Sequence, residues 1–277
     1  MLDIKLASKK KVMCLKKLIF GMPTLIELIS IEGNVKLCKN LGLQFVEINM
    51  NMPYCFPEYN EIEKLKKLKK KYNVSFTMHF PEEIDFGTFY KETQDANISL
   101  FKRYIEYGAQ FGVEKVNIHL LPGTYVSLPD RKIYLYEKYF NKYLENLRKS
   151  LSKIIKIAAI YKIKVYIENA EVPKFLEKIF LNLKSTPGLY FTYDIGHDAV
   201  GNYNVEKLYY TLGDKVKHMH LHDYNNFKCH QILFNGKLNL YEKLNFAKKN
   251  EMSIVVEVKT IKALEISVDN LKNRNLM

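Results

Sequence analysis

Seven short β-branched and aromatic runs each carry, at or near their carboxyl end, a side chain able to bind a cation or move a proton. The runs are FVEINM (45–50), SFTMHF (75–80), KVNIHLL (115–121), KVYIEN (164–169), LYFTYDIGH (189–197), VKHMHLHD (216–223) and SIVVEVK (253–259). Their ionisable residues are Glu47, His79, His119, Glu168, Asp194 with His197, His220 and Glu257. Buried strands normally exclude charge, because removing it from water is costly unless it is paired or bound to a metal. Residues of these types at equivalent points imply strand ends that converge on one polar centre, with a metal ion as the group that holds it together.

The elements that must position them are legible in the periodicity. Segments of helical spacing separate the runs, at 33–42, 61–72, 93–112, 132–162, 172–183, 204–213, 239–250 and 260–274. Gly42 follows the first of these as a stop, and Pro173 suits a first helical turn. With LIFGMP (18–23) as an opening strand, eight strands alternate with eight helices. Such alternation demands parallel strands with right-handed crossovers, and eight units in a chain of this length predict a single-domain α/β fold, the closed (β/α)8 TIM barrel. No glycine-rich phosphate fingerprint follows the first strand, which argues against a dinucleotide-binding sheet. The barrel is expected over 16–277, after a basic leader at 1–15. Because side chains alternate along a strand, His218, His220 and His222 share one face, as do Tyr166 and Glu168. His218 lies deepest and reads as a hydrogen-bonded core histidine.

The composition, 47% hydrophobic and 26% charged over 277 residues, suits a globular protein with a substantial core. Cys14, Cys38, Cys55 and Cys229 form no CxxC pair, which fits a reducing, cytoplasmic setting. No apolar run approaches the roughly 20 residues that span a bilayer. The formal charge of +13 invites a nucleic-acid reading, but most of it is lysine on expected helices and arginine is scarce. Segments after the strand ends carry Glu58, Glu82, Glu83, Asp85, Glu171, Asp198 and Asp223, so the face expected to do chemistry is neutral to acidic. That balance argues against nucleic acid as a partner.

Taken in order, GLQFVEINM (42–50), MHF (78–80), NIHLLPG (117–123), YIENA (166–170), YDIGHDAV (193–200), HMHLHD (218–223) and VVEV (255–258) resemble the xylose isomerase-like barrel superfamily. That superfamily includes sugar and sugar-phosphate isomerases and epimerases, and endonuclease IV. The resemblance implies one divalent ion held by Glu168, Asp194, His220 and Glu257, with Mn2+ or Mg2+ favoured by an oxygen-rich set and Zn2+ or Co2+ as alternatives. It implies proton transfer through an enediolate by the pair Glu168 and Glu257, whose developing charge a bound cation would stabilise. Glu47, His79, His119, His197 and His222 are the expected substrate contacts, with orientation of a ligand histidine as the other role for Glu47. The expected substrate is a small sugar or sugar phosphate, and a homodimer is the assembly that such barrels often form.

The alternative is a phosphodiesterase like endonuclease IV acting on abasic DNA, in which His79, His119 and Glu168 would hold a second metal. Its third metal needs an Asp-x-His pair where this chain has Lys228-Cys229-His230. A lysine there repels a cation, which weakens that alternative. Ketohexose epimerases commonly place an arginine soon after the histidine of the seventh strand, where this chain has YNNFK (224–228). A non-catalytic barrel serving as a binding module is the third reading.

Overall fold

A computed structural model describes residues 17–202, 205–226 and 228–277. The expected leader at 1–15, and Cys14 within it, lie outside the described residues. The strands are β1 (Ile19–Pro23), β2 (Phe45–Asn49), β3 (Ser75–His79), β4 (Val113–His119), β5 (Lys164–Glu168), β6 (Leu189–Asp194), β7 (Val216–Leu221) and β8 (Ser253–Val256). Each pairs in parallel with its neighbour in sequence, and β8 pairs with β1 to close the barrel. The helices between them are α1 (Ile31–Leu41), α2 (Ile62–Tyr72), α3 (Lys91–Gln110), α4 (Phe140–Ile160), α5 (Lys174–Leu183), α6 (Glu206–Leu212), α7 (Leu240–Lys249) and α8 (Ile261–Asn273). No helix among the described residues is long and apolar enough to cross a membrane.

Local chemistry sets these boundaries. Ser30 and Thr260 accept a backbone N–H in the first turn of α1 and α8, and Gly42 ends α1 in the left-handed region at φ 79°. Pro173 stands one residue outside α5 as its cap rather than inside its first turn. Alternation along the strands then sorts the side chains. Val46, Ile48, Phe76, Met78, Val116, Ile118, Val165, Ile167, Phe191, Met219, Leu221, Ile254 and Val256 are buried hydrophobics of one parity. The opposite parity carries Glu47, Thr77, His79, Asn117, His119, Glu168, Thr192, Asp194, His218 and His220, all buried polar groups. A polar barrel interior inside an apolar outer layer follows directly from the period of two.

The structure corrects the segment expected as one helix over 132–162. Lys132–Tyr134 instead pairs antiparallel with Tyr125–Ser127, a short turn of helix covers Leu135–Lys138, and α4 begins only at Phe140. Pro129 and Asp130 favour the turn, and the aromatic and β-branched Tyr125, Val126, Ile133 and Tyr134 favour extended pairing. A second unexpected hairpin, Asp223–Asn225 with Lys228–Gln231, follows β7. Its anchor is Asp223, read from sequence as part of an acidic rim but fully buried here. Its carboxylate accepts the N–H groups of Tyr224, Gly236 and Leu238 at 2.8, 2.9 and 3.1 Å. A Cβ at Gly236 would fall 2.3 Å from Asp223 Oδ1, so only glycine lets the loop close on it.

Candidate metal centre

The carboxyl ends of β5, β6 and β7, with the residue after β8, bring Glu168, Asp194, His220 and Glu257 together. One ligand atom from each lies within 4.8 Å of all the others, and all four side chains are buried. His220 Nδ1 is the focus, 3.0 Å from Glu168 Oε1, 3.0 Å from Glu257 Oε2 and 3.8 Å from Asp194 Oδ2. Three carboxylates gathered on one imidazole edge make a site of concentrated negative charge that a bound cation would relieve. Glu257 Oε2 is buried without a hydrogen-bond partner, as is His119 Nε2 close by. These orphaned atoms and the oxygen-rich donor set fit a divalent ion.

Without a metal, the cluster's answer is a proton. Burial opposes charge on His220, but Glu168, Glu257 and Glu47 outweigh it and lift the imidazole well above its usual value. Burial likewise opposes ionisation of Glu168 and Glu257. His220 and His119 hold the first well below the carboxylate range, and Lys259 with His220 does the same for the second. Lys259 Nζ lies 2.8 Å from Glu257 Oε1, so this carboxylate has one oxygen on an ammonium and the other aimed into the cluster.

Neighbouring residues fix these side chains. Asn117 donates to Glu168 Oε2 and accepts from Thr192 Oγ1 at 2.7 Å. Asn169 and the backbone of Asp194 exchange two hydrogen bonds of 2.7 and 2.9 Å, clamping the ends of β5 and β6. Asp194 Oδ1 caps the short helix Ile195–Gly201 by accepting from His197 N at 2.6 Å. His79 and His119 approach Glu168 Oε2 at 3.5 Å each, with their rings 4.9 Å apart. His79 Nδ1 is 3.0 Å from the carbonyl of Phe80, which makes Nδ1 an N–H donor and turns Nε2 toward Glu168. His197 is partly exposed, with Nε2 3.9 Å from Asp194 Oδ2.

Two residues expected to touch substrate, Glu47 and His222, are engaged with other members of the cluster. Glu47 accepts from Thr77 at 2.9 Å and His218 at 3.1 Å, and its Oε1 sits 2.8 Å from His220 Nε2. That last contact is too bent for a hydrogen bond, so we read it as a close charge contact. His222 accepts the His230 N–H on Nδ1 at 2.8 Å and faces both oxygens of Asp194 with Nε2 at 3.1 Å. His222 keeps no free ring nitrogen for a substrate, and Glu47 Oε2 already accepts two hydrogen bonds. His222 also saturates the cluster it forms with His197 and His230, so only those two retain an imidazole nitrogen to offer.

The close packing behind Asp194 gives a sharp test. A Cβ at Gly196 would lie 1.9 Å from His222 Cε1. Gly196→Ala is expected to push His222 off Asp194 and weaken divalent-ion binding at least tenfold, as loss of a ligand's outer partner does. Titration of Mn2+ by isothermal calorimetry checks it, and an unchanged affinity would count against the role given to His222.

With the fold and this geometry in hand, comparison with known proteins is direct. The chain is 28% identical over 201 residues to an uncharacterized protein of Methanocaldococcus jannaschii, a match covering 68% of this chain and 65% of that protein. Among solved structures, a D-tagatose 3-epimerase-like protein superposes with a TM-score of 0.74 at 23% identity, covering 94% of this chain and 97% of that one. A 3-keto-D-glucoside 4-epimerase from E. coli gives 0.74 at 15% identity, covering 94% and 100%. An IOLI protein with a binding zinc atom gives 0.72 at 16%, covering 94% and 97%. At these identities the superpositions establish a shared fold. Residues 35–271 match the family model described as xylose isomerase-like TIM barrel. The chain belongs to the xylose isomerase-like TIM barrel family.

Proposed function

We propose that the protein is a divalent-cation-dependent isomerase or epimerase of a small sugar or sugar phosphate. The observation that carries this reading is the convergence of Glu168, Asp194 and Glu257 on His220 Nδ1, with Glu257 Oε2 unpartnered. A divalent ion bound there would draw charge from the substrate's carbonyl and hydroxyl oxygens and ease loss of the neighbouring proton. Glu168 and Glu257 are the proton-transfer pair. Both are held ionised against burial by neighbouring positive charge, so each carboxylate is open to a proton from carbon, and its lowered value favours the proton's return. His79, His119 and His197 are the substrate contacts, while Glu47 and His222 orient His220 and Asp194. Structural neighbours whose names describe sugar epimerases support the substrate class.

The test is solvent exchange. Protein loaded with Mn2+ is incubated in deuterium oxide with a panel of ketoses, aldoses and their phosphates, and proton NMR follows loss of the signal next to the carbonyl. Exchange in one substrate class supports the proposal; silence across the panel with a fully loaded protein rejects it.

A second reading, phosphodiester hydrolysis on abasic DNA, draws on a specific observation. His79 Nε2 and His119 Nε2 both face Glu168 Oε2, as a bridging carboxylate between two ions requires. Two bound ions per chain, and cleavage of an abasic duplex by the zinc-loaded protein, would favour it over the first.

A further inference from the structure

A line of polar contacts runs from the amino-terminal end of the barrel to the cation ligands at the other, and its donor directions are fixed by chemistry. It starts at Lys115 near the beginning of β4, whose ammonium lies over the rings of Phe45 and Tyr166 at 5.9 and 5.3 Å. Lys115 Nζ bonds Ser253 Oγ. Ser253 Oγ is 2.6 Å from His218 Nδ1, His218 Nε2 is 3.1 Å from Glu47 Oε2, and Glu47 Oε1 is 2.8 Å from His220 Nε2. The line crosses the barrel interior through β4, β8, β7 and β2 and returns to β7.

An ammonium only donates. Ser253 therefore accepts from Lys115, and because the Glu47 carboxylate at His218 Nε2 can only accept, His218 Nδ1 is left to take the Ser253 hydrogen. His218 then carries its proton on Nε2 and donates to Glu47. The Glu47 carboxylate, 2.8 Å from His220 Nε2, favours a hydrogen on that nitrogen by charge, although the contact is too bent for a hydrogen bond. The nitrogen of His220 left to act as a ligand is Nδ1, the one facing Glu168, Asp194 and Glu257. We propose that Lys115 and Ser253 are positioning residues for the cation site: from the barrel floor they hold His218 in the orientation that donates to Glu47, and so fix the carboxylate that stands against His220 Nε2 and leaves Nδ1 to the site. This rests on the cation reading of the preceding subsection. It adds a determinant from the end of the barrel opposite the chemistry, where strand residues ordinarily contribute to stability alone.

The test uses the full-length protein in two measurements. In the cation-free protein, long-range proton–nitrogen NMR should show His218 protonated on Nε2, with Nδ1 accepting a hydrogen bond. Calorimetric titration of Mn2+ should then show Ser253→Ala and Lys115→Met each weakening affinity about tenfold, the lower end for outer partners of a ligand histidine. Ser253→Thr, which keeps the hydroxyl, should restore it. Because the line acts as a unit, the double variant should lose no more than either single one, whereas independent packing defects would add. A proton on His218 Nδ1 in the wild type, unchanged affinity in a folded Ser253→Ala, or additive losses would each overturn the proposal. Should the wild type take up no ion at all, the functional reading fails, and the NMR experiment still decides the direction of the line.

Discussion

Glu168→Gln is expected to leave the barrel folded, to release the bound cation, and to reduce solvent exchange at the substrate carbon by at least about a hundredfold. The substitution keeps shape and removes charge. Glu168 Oε1 is 3.0 Å from His220 Nδ1, while Oε2 accepts from Asn117 and faces His79 and His119, so one carboxylate serves four neighbours. An amide nitrogen in place of either oxygen would turn a donor toward another donor or toward the cation. Removing a positioned general base typically lowers rate by about 10²–10⁴. Circular dichroism separates this from unfolding, and elemental analysis separates loss of the ion from loss of the base. A Glu168→Gln protein that retains both exchange and metal would remove this residue from the proposed chemistry.

The second large effect is in pH. Without metal, His220 holds its proton well above its usual value because three carboxylates surround it. A cation needs the Nδ1 lone pair and must displace that proton, so apparent affinity should rise about tenfold per pH unit while pH stays below the folded-state value of His220. The stability of the metal-free protein moves the other way. His220, with its value raised on folding, contributes fully below its unfolded value near 6.5, and that contribution is lost as pH rises through the folded value. Glu168, Glu257 and Glu47, with lowered values, contribute above their unfolded values near 4.5 and lose it only as pH falls through their folded values. Between neutral and alkaline pH the metal-free cluster therefore loses the proton that neutralised it. The rise in melting temperature on adding Mn2+ should grow from pH 6 to pH 9. A shift that is flat or shrinks over that range would mean His220 is not the ligand that titrates.

Much of this was legible in the sequence because the barrel translates composition into position. Runs such as KVYIEN and SIVVEVK are too apolar to tolerate a mid-strand carboxylate, so Glu168 and Glu257 had to sit at an end. The period of two then put Glu168, His220 and Glu47 inside. The same parity held a signal that sequence reasoning passed over: Lys115, Asn117 and His119 alternate along one strand, and all three face the interior network. Reading only strand ends hid Lys115 and Asn117. The role of His222 was not readable, because its partner is the backbone N–H of His230, brought back by a hairpin held on buried Asp223. The hairpin at 125–134 was missed for a related reason. Three-residue strands leave too short a pattern to compete with the helical spacing of the long segment that follows.

The central claim is that four side chains from the last four barrel strands close around one divalent ion. Crystals of the protein grown with Mn2+ and measured for anomalous scattering test it most directly. The account predicts a peak enclosed by carboxylate oxygens of Glu168, Asp194 and Glu257 and by Nδ1 of His220. Full loading in solution with no peak there, or His220 turned to present Nε2, would contradict it.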